Sequence, residues 1–178
     1  MTTPPNDSTQ SSAPQSTPAD ELKAIFLTCL LDSLIALDSG VKVREDSSLM
    51  SVKISESALL KVMTLLKQDS RFDFDQLQFH TVLDWPEEQR MECLYLLNST
   101  KKSQELLISV SVSREKPQLP SVSKLWAIAE WQEREVYDMF GITYENHPDL
   151  RRIFLDDDWQ GFPLRKDYQD EFMLRKPW

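Results

Sequence analysis

The chain has 178 residues, 40% of them hydrophobic and 28% charged, with a net charge of −9 and three glycines. That length and apolar content fit one domain with a real core. The acidic balance excludes a phosphate backbone as a natural partner, and no run approaches the roughly 20 apolar residues needed to span a bilayer.

In chain order, residues 1 to 18 hold four prolines and eight serines or threonines. That composition predicts a disordered leader over 1–19. It has neither the basic start and apolar stretch of a secretory signal nor the arginines of an organelle-targeting peptide. Leu22 to Leu37 reads as an amphipathic helix stopped at Ser39-Gly40. Val41 to Arg44 and Leu49 to Ile54 read as short strands around a polar turn. Ser55 is placed to cap a second helix over Glu56–Lys67, with Leu59, Leu60, Met63 and Leu66 as its buried stripe. Leu77 to Asp84 alternates, with Leu77, Phe79, Thr81 and Leu83 on one side and Gln78, His80, Val82 and Asp84 on the other. Trp85-Pro86-Glu87-Glu88 makes a turn into a return strand over Arg90–Leu97. Gln104 to Ser113 alternates cleanly, Leu106, Ile108, Val110 and Val112 inward and Ser109, Ser111 and Ser113 outward, which predicts a strand with one wet face. Helix, two strands, helix, three strands gives an α+β fold. It is a two-layer domain over 20–140 with helices packed on a mixed β-sheet, followed by a helix and an extended C-terminal arm over 141–178.

Titratable chemistry is sparse. Cys29 and Cys93 are the only cysteines, too few for an iron–sulfur cluster, and are expected as reduced thiols. His80 and His147 have no metal-ligand spacing, and His80 reads as a packed or surface strand residue. Three glycines make no phosphate loop. No residue is assigned a catalytic, cofactor-binding or metal-binding role.

The helix that ends at Gly141 is unusual. At about 100° per residue, Leu125, Ala129, Val136 and Phe140 form one stripe with Glu133 among them, while Glu130, Arg134, Glu135 and Asp138 share the other face with Trp131. A charge thus sits where a core residue is expected, and a tryptophan where solvent is expected. Two readings stand. In one, Trp131 folds back on its own domain and Glu133 is an edge carboxylate paired with a nearby arginine. In the other, the outer face docks a second protein, because interface centres favour Trp and Arg. Residues 141–168 lack periodicity yet are dense in Arg, Asp and aromatics, which reads as an ordered arm held by aromatic anchors and ion pairs.

The runs Glu133-Arg134-Glu135-Val136-Tyr137-Asp138-Met139-Phe140-Gly141-Ile142, His147-Pro148-Asp149-Leu150-Arg151-Arg152-Ile153 and Gly161-Phe162-Pro163-Leu164-Arg165-Lys166-Asp167-Tyr168 closely resemble the 30-kilodalton, C-type subunit family of NADH:quinone oxidoreductase (respiratory complex I). Ser113 to Val122 resembles that family's lead-in to the helix. The chain departs from the family at Gln169, where proline is common, and its short ending resembles cyanobacterial and chloroplast relatives.

The resemblance implies a non-catalytic peripheral-arm subunit of a proton-translocating oxidoreductase that takes electrons from NADH or ferredoxin to quinone. The equivalent subunit of a membrane-bound energy-converting hydrogenase is the alternative, and a free soluble adaptor a remoter one. It implies no cofactor on this chain, within a complex that holds iron–sulfur clusters, quinone and, with NADH as donor, FMN. The implied partners are the D-type, quinone-site subunit and neighbouring iron–sulfur subunits. The implied location is peripheral, on the cytoplasmic face of the inner (plasma) membrane or on the stromal or cytoplasmic face of a photosynthetic membrane. The expected partner interface is Trp131, Glu133, Arg134, Glu135, Asp138, His147, Arg151, Arg152, Trp159, Arg165, Lys166, Asp167 and Tyr168. Within it, Arg134 and Asp138 brace the outer helix face beside Trp131, Glu133 pairs with Arg151 or Arg152, and His147-Pro148 fixes the turn after the helix. Arg165, Lys166 and Asp167 supply polar contacts, and Trp159, Phe162 and Tyr168 apolar anchors.

Overall fold

The computed structural model describes residues 18–44 and 49–170. The polar turn expected before Leu49 and the tail after Asp170 lie outside them, as does the leader except at its end. There Pro18 already opens the first helix, four residues earlier than the apolar pattern indicates and at a position where proline is favoured. The chain divides into two compact units, one ending at Ser33 and the other beginning at Leu34, so the boundary falls within α1 (Pro18–Leu37). In the first unit the Ser33 hydroxyl donates to the Cys29 carbonyl at 2.8 Å, a back-bond that keeps a polar side chain satisfied on the helix. No described helix is long and apolar enough to cross a membrane.

The second unit is built on a five-stranded sheet of β1 (Lys42–Arg44), β2 (Ser51–Ile54), β3 (Gln76–Trp85), β4 (Arg90–Ser99) and β5 (Gln104–Ser113) in the order β1-β2-β5-β4-β3. The β2–β5 pair is parallel and the others antiparallel, so the sheet is mixed as expected. The parallel pair follows from the connection, because α2 (Leu59–Gln68) and the β3–β4 hairpin intervene between its strands. Ser55 does not cap α2. It precedes a 3₁₀ turn, Glu56–Ala58, and its hydroxyl meets Ser57 instead. The buried stripe of α2 is Leu59, Val62, Met63 and Leu66, while Leu60 is exposed.

Two strands depart from their alternation. In β3 a bulge between Leu77 and Phe79 inserts Gln78 against β4, so Leu77 joins His80, Val82 and Asp84 in the buried set. Phe79 and Leu83, each 41% exposed, are left on the outer side with Trp85. One extra residue shifts a strand's side chains to the other face, which simple alternation does not foresee. On β5 the inward set is as expected, but Ser109 is fully buried. That face is covered at its middle and open to water at its ends, at Glu105 and Ser113.

Beyond β5 the chain makes β6 (Gln118–Pro120), α3 (Ala129–Phe140) and β7 (Thr143–Glu145), with β6 and β7 paired parallel in a small second sheet that the sequence pattern does not announce. Leu125 precedes α3 rather than lying on it. The helix runs beside edge strand β3, where the Gln132 side-chain amide donates to the Gln78 carbonyl at 3.2 Å.

Candidate docking site

α3 ends at Gly141, whose φ of 76° is the left-handed helix stop. A side chain there would also strike the Phe162 ring at 2.5 Å and the Arg165 guanidinium at 2.8 Å. Glycine is thus fixed by conformation and by the closeness of the returning arm. Past β7 the arm doubles back over the outer face of α3. That covering explains why the face carries charge.

Asp138, fully buried, is the centre of the clasp. One carboxylate oxygen accepts the backbone N–H groups of Ile153 (3.0 Å), Phe154 (2.8 Å) and Leu155 (3.1 Å), and the other accepts Arg152 Nη1 at 2.7 Å. Burial works to raise the Asp138 pKa, but the Arg152 guanidinium and these amides outweigh it and hold the carboxyl below its ordinary range. Arg152 also donates to the Asp138 carbonyl and to those of Trp159 and Gly161. Arg134, likewise buried, donates from Nε to the Arg151 carbonyl at 3.2 Å. Its guanidinium carbon lies 5.0 Å from the Trp131 ring centre. The Arg165 guanidinium donates to the Phe140 carbonyl at 2.7 Å and packs on Phe162, and Leu164 N–H closes on Met139 O.

A second carboxylate repeats the pattern at the end of β3. Asp84 accepts Arg114 Nε at 2.8 Å and Lys166 N–H at 2.9 Å, and Arg114 also pairs with Asp167. Lys166 extends over Trp85, with Nζ 5.3 Å from the ring centre. Tyr168 lies against Gly161, where an added side chain would meet its ring at 2.9 Å.

Glu133 does not pair with an arginine. Both candidates turn elsewhere: Arg151 binds Asp149 at 2.9 Å and Arg152 binds Asp138. The Glu133 carboxylate, with no exposed surface, accepts the Ser121 hydroxyl at 2.6 Å and Val122 N–H at 2.7 Å. It thereby ties α3 to the segment leading into it. Burial with only neutral donors pushes its pKa up to about 7. The His147 side chain, also fully buried, sits 3.8 Å away. Its Nδ1 accepts Asp149 N–H at 3.0 Å, so Nε2 carries the proton and donates to the Glu130 carbonyl at 3.0 Å. This is how His147-Pro148 shapes the turn. His80 is a packed strand residue, stacked on Tyr95 at 3.9 Å and bonded through Nε2 to Tyr144 OH at 2.5 Å. Desolvation lowers its pKa to about 4, so it is neutral.

The structure therefore sorts the expected interface residues. Arg134 and Asp138 do not brace an open helix face; they are buried under the arm. Glu133, Arg152 and Arg165 are committed internally as well. Trp131 is 58% exposed, and Glu135, Arg151, Lys166 and Asp167 are also at the surface, whereas Trp159 and Tyr168 are part-covered and the His147 side chain is buried. Sequence reasoning missed Asp84 and Arg114 as arm ligands, Ser121 as the partner of Glu133, and the outward side chains Phe154 and Leu164, 66% and 53% exposed. The inward placement of Asp84 beside Val82 on an alternating strand was the one available signal.

Residues 52–171 match the family model described as the respiratory-chain NADH dehydrogenase 30 Kd subunit. The NADH-quinone oxidoreductase C-type subunit of Moorella thermoacetica is 37% identical over 139 residues, 78% of this chain and 93% of that protein. The NADH-quinone oxidoreductase C/D subunit of Phocaeicola vulgatus is 45% identical over 120 residues, 67% of this chain but only 22% of that much longer protein. Among solved structures, the trypsin-resistant fragment (1-134) of Nqo5 superposes with a TM-score of 0.61 at 29% identity, covering 70% of this chain and 99% of the fragment. A chain of an archaeal membrane-bound sulfane sulfur reductase shares the fold, with a TM-score of 0.67 at 19% identity over 80% of this chain and 85% of that one. The matched span runs from within β2 through both arm clasps and all three motif runs, and on that match the chain belongs to the respiratory-chain NADH dehydrogenase 30-kilodalton subunit family.

Proposed function

We propose that this chain is the C-type, 30-kilodalton subunit of a proton-translocating NADH (or ferredoxin):quinone oxidoreductase, a non-catalytic scaffold of the peripheral arm. It holds a D-type subunit in place beside neighbouring iron–sulfur subunits, carries no cofactor of its own and reaches the membrane only through the complex, on its cytoplasmic face. The observation that carries this reading is the double clasp. Two carboxylates, Asp138 and Asp84, fix an irregular segment by its backbone amides. A segment without regular structure is ordered at large entropic cost, and here the ordering serves to present a fixed surface. Rigid placement matters where redox centres and a quinone pocket must keep their spacing, because displacements of about an ångström degrade such chemistry. The C/D name of the Phocaeicola vulgatus relative supports a D-type partner, since there the C-like stretch is part of one polypeptide with it.

The test is to tag the chain at residue 1 in its host, solubilise membranes gently and identify what co-purifies. Iron–sulfur subunits together with a D-type subunit are expected. An accompanying flavin subunit identifies NADH as donor, and its absence points to ferredoxin. Recovery from the soluble fraction with no such partners overturns the proposal.

A further inference from the structure

Three large apolar side chains are exposed on the clasped arm and helix, and at two of them the backbone is held in place. Phe154 is 66% exposed although its N–H is held by the buried Asp138 carboxylate at 2.8 Å. Leu164 is 53% exposed although its N–H is bonded to Met139 O at 3.1 Å. Trp131 is 58% exposed and lies beside Arg134, whose guanidinium is itself occupied with the Arg151 and Arg152 carbonyls. Positions 138 and 139 lie about two turns beyond 131 along the outer half of α3, so all three side chains are anchored to one helix face. Single exposed apolar side chains are ordinary, but here three sit on or beside one helix, and at two of them the backbone is fixed by a hydrogen bond to that helix. That is the arrangement of preorganised interface anchors, which lose little freedom on binding.

Acidic residues lie close in sequence to two of these anchors, Glu135 four positions after Trp131 and Asp156 to Asp158 just after Phe154, with Lys166 near Leu164. Glu135, Asp156, Asp157 and Asp158 are exposed and form no ion pair among the described residues, whereas Asp149 and Arg151 neutralise one another. We infer that Trp131, Phe154 and Leu164 are the anchors of the contact with the D-type subunit, seated in an apolar recess of that partner edged by lysine or arginine. The buried charges of the clasp act only by positioning those anchors. This rests on the function proposed above. It goes further in keeping Trp131 of the expected interface, adding Phe154 and Leu164 from the arm, and giving the buried charged residues a positioning role only. The D-type subunit is the occupant because the C/D proteins of Phocaeicola vulgatus and Bacteroides thetaiotaomicron contain this module in one polypeptide with it. Complementary charge at the rim adds orientation and association rate rather than bulk affinity.

The experiment uses the full chain in its host. A W131S/F154S/L164S variant changes only exposed side chains, so its unfolding midpoint as a purified chain should match the wild type. Recovery of the D-type subunit through the tag is expected to fall about tenfold or more. A photo-activatable cross-linking residue placed at position 154, and separately at 164, should join the chain to the D-type subunit in intact membranes. Undiminished recovery with the triple variant overturns the assignment, as do cross-links that lead only to a second copy of this chain or to a different subunit. Failure of the wild-type chain to recover any D-type subunit defeats the underlying function instead, so the two failures are distinguishable.

Discussion

Asp138 does the work of several residues because a carboxylate can accept more bonds than most side chains can. Its Oδ2 takes three consecutive amides and Oδ1 takes the Arg152 guanidinium. Asp138→Asn keeps the shape but removes the charge and turns one oxygen into a donor aimed at donors. We expect a loss of about 3–5 kcal/mol, the cost of stranding one partner of a buried pair. In limited trypsinolysis, new early cleavage after Arg151 and Arg152 is expected; an unchanged digestion pattern and midpoint would remove Asp138 from the centre of the clasp. Glu133 titrates in the opposite sense. Its folded pKa of about 7 lies above the ordinary 4.5, so the stability gained from its proton is complete below the unfolded value and is lost as pH rises through about 7. Wild type should therefore lose up to about 3 kcal/mol relative to Glu133→Gln between pH 5 and pH 8. Denaturant midpoints at the two pH values check this, and parallel pH curves for the two proteins would refute it. Asp138, with a depressed pKa, contributes stability above the normal carboxylate range and loses it only in stronger acid, so the clasp holds throughout that window.

At the scale of elements, strands and helices were legible where one face is buried and periodicity survives. β5 and the helix stop at Gly141 are examples. What periodicity could not carry was a break in register. The extra residue at Gln78 places Leu77 and His80 in the same core, and nothing in the composition of β3 marks the spot. Deleting Gln78 must send either Leu77 or the set His80, Val82 and Asp84 to the wrong face. The expected cost is about 2–5 kcal/mol, that of losing a large core side chain; a denaturant midpoint equal to wild type would show that the bulge is dispensable. From sequence, the outer face of α3 either takes Trp131 back onto its own domain or docks a second protein, because sequence shows which side a helix turns away from its own sheet, not which later segment returns to cover it. The motif blocks were visible, but their pairing was not. Asp84 meets Lys166 across 82 positions of chain, and no local pattern encodes a contact of that span.

For the molecule as a whole, the acidic chain carries a sheet-based unit whose arm is clasped at two points, at Asp138 and at Asp84. The two clasps have a further consequence in the order of events on the ribosome. Residues are added from the N-terminus at about 5–20 per second, and domains organise as they emerge. The ligands Asp84, Arg114 and Asp138 are therefore all made before the segment that closes on them, and the Lys166-Asp167 contacts are among the last to become possible. Until that moment α3 displays bare charge where the finished protein displays Phe154 and Leu164. On the function proposed above, a chain whose arm has not yet closed lacks the surface it would offer a partner, because the buried carboxylates Asp138 and Asp84 still await the backbone amides they hold.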